Sequence, residues 1–417
     1  MVSGKEPSRK LIAAGVFLSA LVLLMVVVPN SIVFNKNNAE KQFRLERDLA
    51  ANDVHAIQSD SNFFKYAYVF VTYHKSGHVL SRHLVNYLQK NLAFHFGSRL
   101  TKGERVVPRR DFNAYTKCTN LSLKPGTVTI IDAPQFHCKV DELRHLFMNN
   151  PEPTHKKFGV KVIHLVRNPF SMAVSNYHYH SLDPAPEPFV NNPEVNPCES
   201  LNGSIGPGND VKADLVTQKL TNTEVEIAGE TKPIMTREDF TNIVQDCYSM
   251  WRTRPGLTDG TYFDHLSALD PREGVRMATA DKFIHFTLLA NDLIMFDRVE
   301  RKVHERNVDH PGKRNDFDLL TMSLDDWIER PDQSMYDFLD FIFHNHMPEN
   351  RKHAQAALHK KEYLAKASHP DDVHITSGKH SDTDELVQSL RDDAVFGGIL
   401  ARMEVLFESF LHQHARS

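Results

Sequence analysis

The chain has 417 residues, of which 41% are hydrophobic and 24% are charged, and its formal net charge at pH 7 is −4. This length is enough for one large domain or two ordinary ones, and the composition is that of a folded protein. The slightly acidic charge gives no reason to expect nucleic-acid binding. Although there are 24 histidines, none form a zinc-finger or His-Glu-x-x-His pattern, so we interpret most of them as surface residues.

The N-terminal region contains a long apolar segment. Leu11–Val28 carries no charge, and Ile32–Phe34 nearly extends it. A helix of this length can cross a hydrocarbon core of roughly 30 Å. Basic residues precede the segment and charges of both signs follow it, so the positive-inside rule places the N-terminus in the cytosol. We therefore predict four parts: a cytosolic tail (1–10), a transmembrane signal anchor (11–34), a stem (35–62) and a luminal domain (63–417).

A cleaved signal peptide is the alternative for this segment, but the apolar run is longer than usual and Pro29-Asn30 is not a small-x-small cleavage site. A luminal domain could carry sugars at Asn120 and Asn202, which fit the glycosylation pattern. Its four cysteines, Cys118, Cys138, Cys198 and Cys247, could form two disulfides in three possible connectivities.

Short apolar runs alternate with helical patterns along the first half of the luminal domain. Tyr66–Thr72, Val128–Ile131 and Lys161–Val166 have the character of buried strands. A helix is predicted after the first strand from the spacing of its leucines, and another is predicted from Pro169. Strands that alternate with helices predict an α/β fold, with a P-loop-like parallel sheet flanked by helices.

The second half of the chain begins with a different composition. Residues 183–236 are rich in Pro, Gly and Asn, which predicts a long loop insertion. Helical patterns return at about 238–252, 262–306 and 334–364. A further pattern at 386–411 is interrupted at Gly397-Gly398.

The turn between the first strand and its helix has the sequence "HKSG". A strand–turn–helix unit presents backbone N–H groups and the positive end of the helix dipole, which together bind anions. Gly77 allows close approach of the backbone, Lys75 adds a positive charge, and Ser76 adds a hydroxyl donor. We predict that this turn binds a phosphate-like group; a capped helix with an exposed lysine is the simpler alternative.

The turn differs from the Walker A sequence, because its glycine follows the lysine and serine rather than preceding them. The strand "TIID", which ends at Asp132, could nevertheless imitate a magnesium-binding Walker B strand. A P-loop kinase or NTPase therefore stays open as an alternative.

A second polar cluster follows the strand that ends at Val166. Arg167 lies at the strand tip and Ser175 lies on the next helix, so a guanidinium fork and a hydroxyl could bind a second phosphate. Two phosphate sites at the carboxyl ends of parallel strands suit a nucleotide that is phosphorylated on both its 5′ and 3′ sides.

These motifs resemble those of the sulfotransferases that use PAPS (3′-phosphoadenosine-5′-phosphosulfate). "TYHKSG" (Thr72–Gly77) resembles their 5′-phosphosulfate loop, commonly Thr-Tyr-Pro-Lys-Ser-Gly, and "RNPFSMAVSNYHYH" (Arg167–His180) resembles their 3′-phosphate motif. Leu320–Phe343 looks like the family's strand, acidic pair and helix. "HITSGKH" (His374–His380) is similar to its C-terminal basic-glycine loop.

The resemblance implies roles for particular residues. The 5′-phosphosulfate would be held by Lys75, Ser76, Gly77, His78, Val79 and Leu80. The 3′-phosphate would be held by Arg167, Ser175, Ser377, Gly378 and Lys379. The sequence departs from the family at His74, which replaces the usual proline, and at His78-Val79, which replace small hydroxyl residues.

Lys75 would also act in catalysis by stabilising the charge that builds on the leaving oxygen. A general base is needed in addition, and a histidine or a buried carboxylate suits this role. The candidates are Asp132, His137 and His83; Asp132 stands where many family members carry a catalytic histidine.

The resemblance implies sulfuryl transfer from PAPS, without a metal, to a hydroxyl or amine of a glycan or another small acceptor. With a membrane anchor, the chain looks like the single-pass type II sulfotransferases of the Golgi membrane. A non-catalytic, membrane-tethered nucleotide-binding protein is the alternative from another functional class.

Overall fold

A computed structural model describes residues 66–73, 75–91, 128–132, 159–181, 187–202, 220–227, 229–252, 260–309, 317–343, 347–367 and 382–414. The predicted cytosolic tail, transmembrane anchor and stem lie outside these ranges, as do His137 and Ser377–Lys379. Within the ranges, no helix combines the length and the apolar character that crossing a membrane requires.

A four-stranded parallel sheet forms the centre of the described structure, with the strand order β2-β1-β3-β6. Its strands are β1 (Tyr66–Thr72), β2 (Val128–Asp132), β3 (Gly159–Val166) and β6 (Phe317–Ser323), while β4 (Glu224–Ile227) and β5 (Glu230–Pro233) form a separate antiparallel hairpin. The sheet and its flanking helices confirm the predicted α/β fold.

The described ranges contain ten α-helices. They are α1 (His78–Asn91), α2 (Pro169–His180), α3 (Arg237–Arg252), α4 (Tyr262–Ala268), α5 (Pro271–Asp309), α6 (Leu324–Glu329), α7 (Pro331–Phe343), α8 (Glu349–Ala367), α9 (Thr383–Arg391) and α10 (Gly397–His414). The strand, acidic pair and helix expected within 320–343 are present as β6, Asp325-Asp326 and α7.

Both faces of the sheet are apolar and covered by helices. In β1, Tyr68 and Phe70 face a core layer that includes α1, α7 and α8, whereas Val69 and Val71 face the layer of α2, α5 and α10. Alternate residues of a strand point to opposite faces, so a strand covered on both sides is mainly apolar. Both β1 and β3 are buried along their whole length, and β3 also buries two polar side chains, Lys161 and His164.

The chain reverses its direction of travel across the sheet between β1 and β3. It runs from β1 to β2 on one side, and then returns past β1 to β3 and β6 on the other side. In open parallel sheets, ligands bind in the crevice at the carboxyl ends of the two strands where such a reversal occurs. The residues that follow Thr72 and Val166 therefore lie at the expected ligand crevice.

Three of the predicted helical patterns are each two helices in the structure. The 262–306 pattern is divided at Pro271 into α4 and α5, and the 334–364 pattern ends at Phe343 and resumes after Pro348 as α8. Proline lacks the N–H that a continuous helix needs, but it is well suited to the start of a new one. The 386–411 pattern is interrupted at 392–396, just before the predicted Gly397-Gly398, which are the first two residues of α10; an added Cβ at Gly397 would collide with the Arg391 carbonyl.

Part of the predicted 183–236 loop has regular structure. It contains two short 3-10 helices, Pro188–Asn191 and Pro197–Asn202, and the β4–β5 hairpin. A disulfide joins Cys198 to Cys247 on α3. Of the three connectivities, only the one with this bond remains, and its partner pair of cysteines lies outside the described ranges.

The turn between β1 and α1 requires glycine at position 77. Gly77 has a φ of +129°, and a Cβ at this position would lie 3.0 Å from Leu165 Cδ1 at the end of β3. A larger residue would therefore combine backbone strain with a tight contact that the buried Leu165 side chain must shift to relieve.

We expect Gly77→Ala to lower the free energy of unfolding by about 2–3 kcal/mol, because it adds both strain and collision. Gly229→Ala is the matched control: its φ is +80°, but no atom lies within 4 Å of the added Cβ. That control should lose only about 1 kcal/mol, from strain alone. Urea denaturation measures both variants, and equal losses would contradict the role assigned to Leu165.

Candidate functional site

The anion loop, which we define as Lys75, Ser76 and Gly77, is closed by hydrogen bonds to Tyr73. The Ser76 Oγ accepts from the Tyr73 N–H at 2.7 Å and donates to the Tyr73 carbonyl at 3.2 Å. The Ser76 N–H also donates to that carbonyl, at 3.1 Å. In this structure the buried Ser76 hydroxyl shapes the turn, and its contact with a 5′-phosphate stays a prediction.

Tyr73 also holds the anion loop against helix α5. Its hydroxyl donates to the buried Asp292 carboxylate at 2.5 Å and lies 3.3 Å from His164 Nε2. Burial and the charge of Asp292 raise the pKa of Tyr73 well above its ordinary value, so the phenol stays protonated as a donor. The loop is thereby fixed to both β3 and α5.

Helix α1 begins directly after the anion loop. The Ser81 N–H donates to the Gly77 carbonyl at 2.8 Å, which is the first turn of the helix. The N–H groups of the first helical residues, His78, Val79 and Leu80, have no acceptor within the helix, and they form the positive end of its dipole. The Leu80 side chain is buried in the core, so this residue can serve a ligand only through its backbone.

Lys75 is the charged residue of the anion loop, and its backbone is in the left-handed region, with a φ of +63°. Its Nζ lies over the face of the Tyr179 ring, 2.7 Å from the centroid. Burial lowers the pKa of Lys75 to about 6; the charge of Glu187 opposes this shift, whereas those of Arg167 and Lys282 add to it. An anionic ligand at this position would favour the charged ammonium.

Arg167 brings the second predicted phosphate site next to the first. Its Nη1 donates to the Lys75 carbonyl at 3.4 Å, and its Nε donates to the Asp325 carboxylate at 3.1 Å. The Asn168 N–H donates to the other oxygen of Asp325 at 2.9 Å. Asp325 is thus an internal anion at the place where the sequence predicts a phosphate.

Three features fix the turn that carries Arg167: a helix cap, a proline at the first helical position and a hydrogen bond to α10. The Asn168 side chain caps α2 by accepting from the N–H groups of Phe170 and Ser171, and Pro169 occupies the first helical position. Asn168 also donates to Glu404 on α10. The other predicted 3′-phosphate residue of this segment, Ser175, is buried farther along α2.

A charged cluster that the sequence reading missed lies beside Lys75. We define it as His180, Glu187, Asp281 and Lys282. His180 Nε2 lies 3.0 Å from Glu187 Oε2, and Lys282 Nζ lies 3.0 Å from Asp281 Oδ2. Glu187 lies in the segment predicted to be a loop, and His180, Asp281 and Lys282 lie in segments predicted to be helical, so no pattern connected them. The only sequence signal was that His180 ends the Arg167–His180 motif.

The candidate bases are placed very differently. Asp132 is the last residue of β2, in register with Thr72, at the same sheet edge as the anion loop. His83 is buried on the sheet face covered by α1 and α8, and its ring centroid lies 5.0 Å from that of His359. The structure does not bring His83 into the group of charges around Lys75.

Comparison with known proteins gave no assignment: no protein-family model, no curated protein and no solved structure matches this chain. Among the described residues, no group of three or more His, Cys, Asp or Glu side chains is arranged to hold a metal ion. The functional reading therefore depends on the motifs and on the geometry of the site.

The pKa of Lys75 has a measurable consequence for stability. Between pH 6 and the ordinary lysine pKa near 10.4, the unfolded chain binds a proton that the folded chain lacks, so this residue makes stability rise with pH. We expect Lys75→Met to stabilise the fold by about 1–3 kcal/mol near pH 6, with a gain that shrinks towards pH 10.

Urea denaturation between pH 6 and pH 10 measures this effect, and Lys232→Met is the control. Lys232 pairs with Glu230 on the hairpin and its side chain is more than half exposed. Its replacement should change stability by less than about 0.5 kcal/mol at any of these pH values. A Lys75→Met protein that is less stable than wild type throughout would contradict the burial of this ammonium.

Proposed function

We propose that this protein is a sulfotransferase that moves a sulfuryl group from PAPS to a hydroxyl or amine of a glycan or another acceptor. One observation carries the proposal. Arg167 Nη1 lies 3.4 Å from the Lys75 carbonyl, so two motifs that are 92 residues apart meet at the reversal point of the sheet. A single ligand with two separated phosphates suits this arrangement.

The residues present fit such a donor. Lys75 and the backbone N–H groups at the start of α1 would hold the 5′-phosphosulfate, and Arg167 would hold the 3′-phosphate. When bound, the donor supplies an activated sulfuryl group. The Lys75 Nζ is shielded from solvent and lies over the Tyr179 ring. Its ammonium would therefore stabilise negative charge on the leaving oxygen more strongly than an exposed lysine could.

A P-loop kinase or NTPase is the competing proposal, and the position of Asp132 favours it. Asp132 ends the strand adjacent to β1, where a Walker B aspartate would stand. Against it, the order Lys-Ser-Gly differs from Walker A, and Arg167 gives the site a second cation that suits a 3′-phosphate.

We also propose a luminal location, in the Golgi, with the body attached through the predicted anchor as a single-pass type II protein. The Cys198–Cys247 disulfide supports an oxidising compartment, because such bonds are rare in the cytosol. The candidate glycosylation residue Asn202 ends a 3-10 helix in the same segment.

Transfer of labelled sulfate tests the proposal directly. The full-length protein would be incubated with labelled PAPS and a panel of glycan, lipid and phenolic acceptors. Lys75→Ala should reduce transfer by at least about 100-fold, because it removes the charge on the leaving oxygen. Lys232→Ala, at an exposed residue of the β4–β5 hairpin, should retain wild-type activity, and near-wild-type transfer by Lys75→Ala would overturn the assigned role.

A further inference from the structure

Glu187 is the acidic residue whose charge acts on Lys75. It lies at the start of the first 3-10 helix, and its charge favours the Lys75 ammonium against burial. Burial favours the protonated form of Glu187, but the hydrogen bond with His180 and the nearby His180, Lys282 and Lys75 side chains outweigh it and lower the pKa of Glu187 to about 2. Glu187 is therefore an ionised carboxylate beside the cation that the proposed function assigns to the leaving oxygen.

Exposure distinguishes Glu187 from its neighbours. Its side chain is 21% exposed, whereas those of His180 and Asp281 are 0% and 5% exposed. An acceptor molecule must reach the site from solvent, so within the charged cluster Glu187 is the carboxylate it can contact. His180 and Asp281 are too buried for an acceptor to contact them directly.

His180 fixes the Glu187 carboxylate. The ring is packed against Phe189 and Tyr262, and burial lowers its pKa, which keeps the imidazole neutral. In the tautomer that carries its proton on Nε2, the ring donates to Glu187 Oε2 across 3.0 Å. A base held in this way needs little reorganisation when the acceptor arrives.

We propose that Glu187 is the general base of the reaction and that His180 is its positioning residue; this inference rests on the proposed sulfotransferase function. Glu187 takes the proton from the acceptor hydroxyl while the acceptor oxygen forms its bond to sulfur. The bond from sulfur to the 5′-phosphate oxygen breaks, and that oxygen keeps the electron pair beside Lys75. The products are the sulfated acceptor, the 3′,5′-bisphosphate and a protonated Glu187.

The low pKa of Glu187 is that of the protein without a bound donor. The negative oxygens of a bound donor would act on the Glu187 carboxylate directly, and a nearby negative charge raises the affinity of a carboxylate for a proton. His180, Lys282 and Lys75 are the titratable groups that face Glu187 from α2, α5 and the anion loop. The carboxylate thus becomes a better base when the donor site is filled.

The test compares Glu187→Gln with Glu194→Gln, which replaces an exposed carboxylate of the same segment. For each full-length protein, the affinity for adenosine 3′,5′-bisphosphate is measured by calorimetry, and labelled sulfate transfer is measured with the acceptor panel above. We expect Glu187→Gln to keep the affinity within about threefold and to lose about 100- to 1000-fold in transfer rate. Glu194→Gln should match wild type in both.

Two further variants separate chemistry from structure. Added formate should partly restore transfer to Glu187→Ala, because a small carboxylate can enter the space and accept the proton. His180→Phe keeps the aromatic packing but removes the donor, and it should lower transfer about tenfold at unchanged bisphosphate affinity. His180→Gln, which can still donate to Glu187, should recover most of that loss.

The outcomes distinguish this inference from the proposed function. If wild type transfers sulfate and Glu187→Gln transfers it within tenfold of that rate, Glu187 is not the base although the enzyme is a sulfotransferase. If wild type binds no bisphosphate and transfers no sulfate to any acceptor, the proposed function fails and the inference fails with it. Loss of bisphosphate affinity in Glu187→Gln would show that this residue shapes the donor site instead.

Discussion

The site depends on the contacts of the Arg167 guanidinium, because they connect the ends of three strands. Arg167 follows β3, donates to the Lys75 carbonyl after β1, and pairs with Asp325 after β6. Arg167 is almost fully buried, so its charge requires these partners. The positions of the anion loop, the start of α2 and the start of α6 are therefore coupled through one side chain.

Carboxylates of the protein itself act on the basic side chains of this site. Arg167 is paired with Asp325, and the charge of Lys75 is balanced in part by Glu187. A buried charge without a partner is costly, so Arg167 needs its carboxylate in the empty site, whereas burial lowers the pKa of Lys75 and favours its neutral form. On our account, donor phosphates would pair with Arg167 and Lys75, and the Glu187 carboxylate, still held by His180, would serve the acceptor.

The sequence predicted the parts of this structure that have a local cause. The β1 and β3 strands follow from their mainly apolar runs, which Lys161 and His164 interrupt in β3, and the anion loop follows from Gly77 at a strand–helix turn. Long-range partners have no such local signal: Asp325 lies 158 residues from Arg167. Glu187 was concealed by the Pro-rich composition around it, and the long helical patterns did not reveal the breaks at Pro271 and Pro348. The His83 candidate came from the chemistry of its side chain, and the sequence could not tell that it lies away from the charges around Lys75, whereas Asp132, proposed from its place in the family motif, does lie at the sheet edge of the anion loop.

The central claim is that Arg167 and the anion loop form one site for a nucleotide with 5′ and 3′ phosphates. Calorimetric titration of the full-length protein with adenosine 3′,5′-bisphosphate and with adenosine 5′-phosphate tests it most directly. Wild type should prefer the bisphosphate by about 10- to 100-fold, the value of a charge-assisted contact to the 3′-phosphate. Arg167→Gln should lose this preference, whereas Asp325→Asn, which breaks the same ion pair but keeps the guanidinium, should retain it. Equal affinity of wild type for the two nucleotides, or stronger binding of ATP with magnesium than of the bisphosphate, would contradict the account.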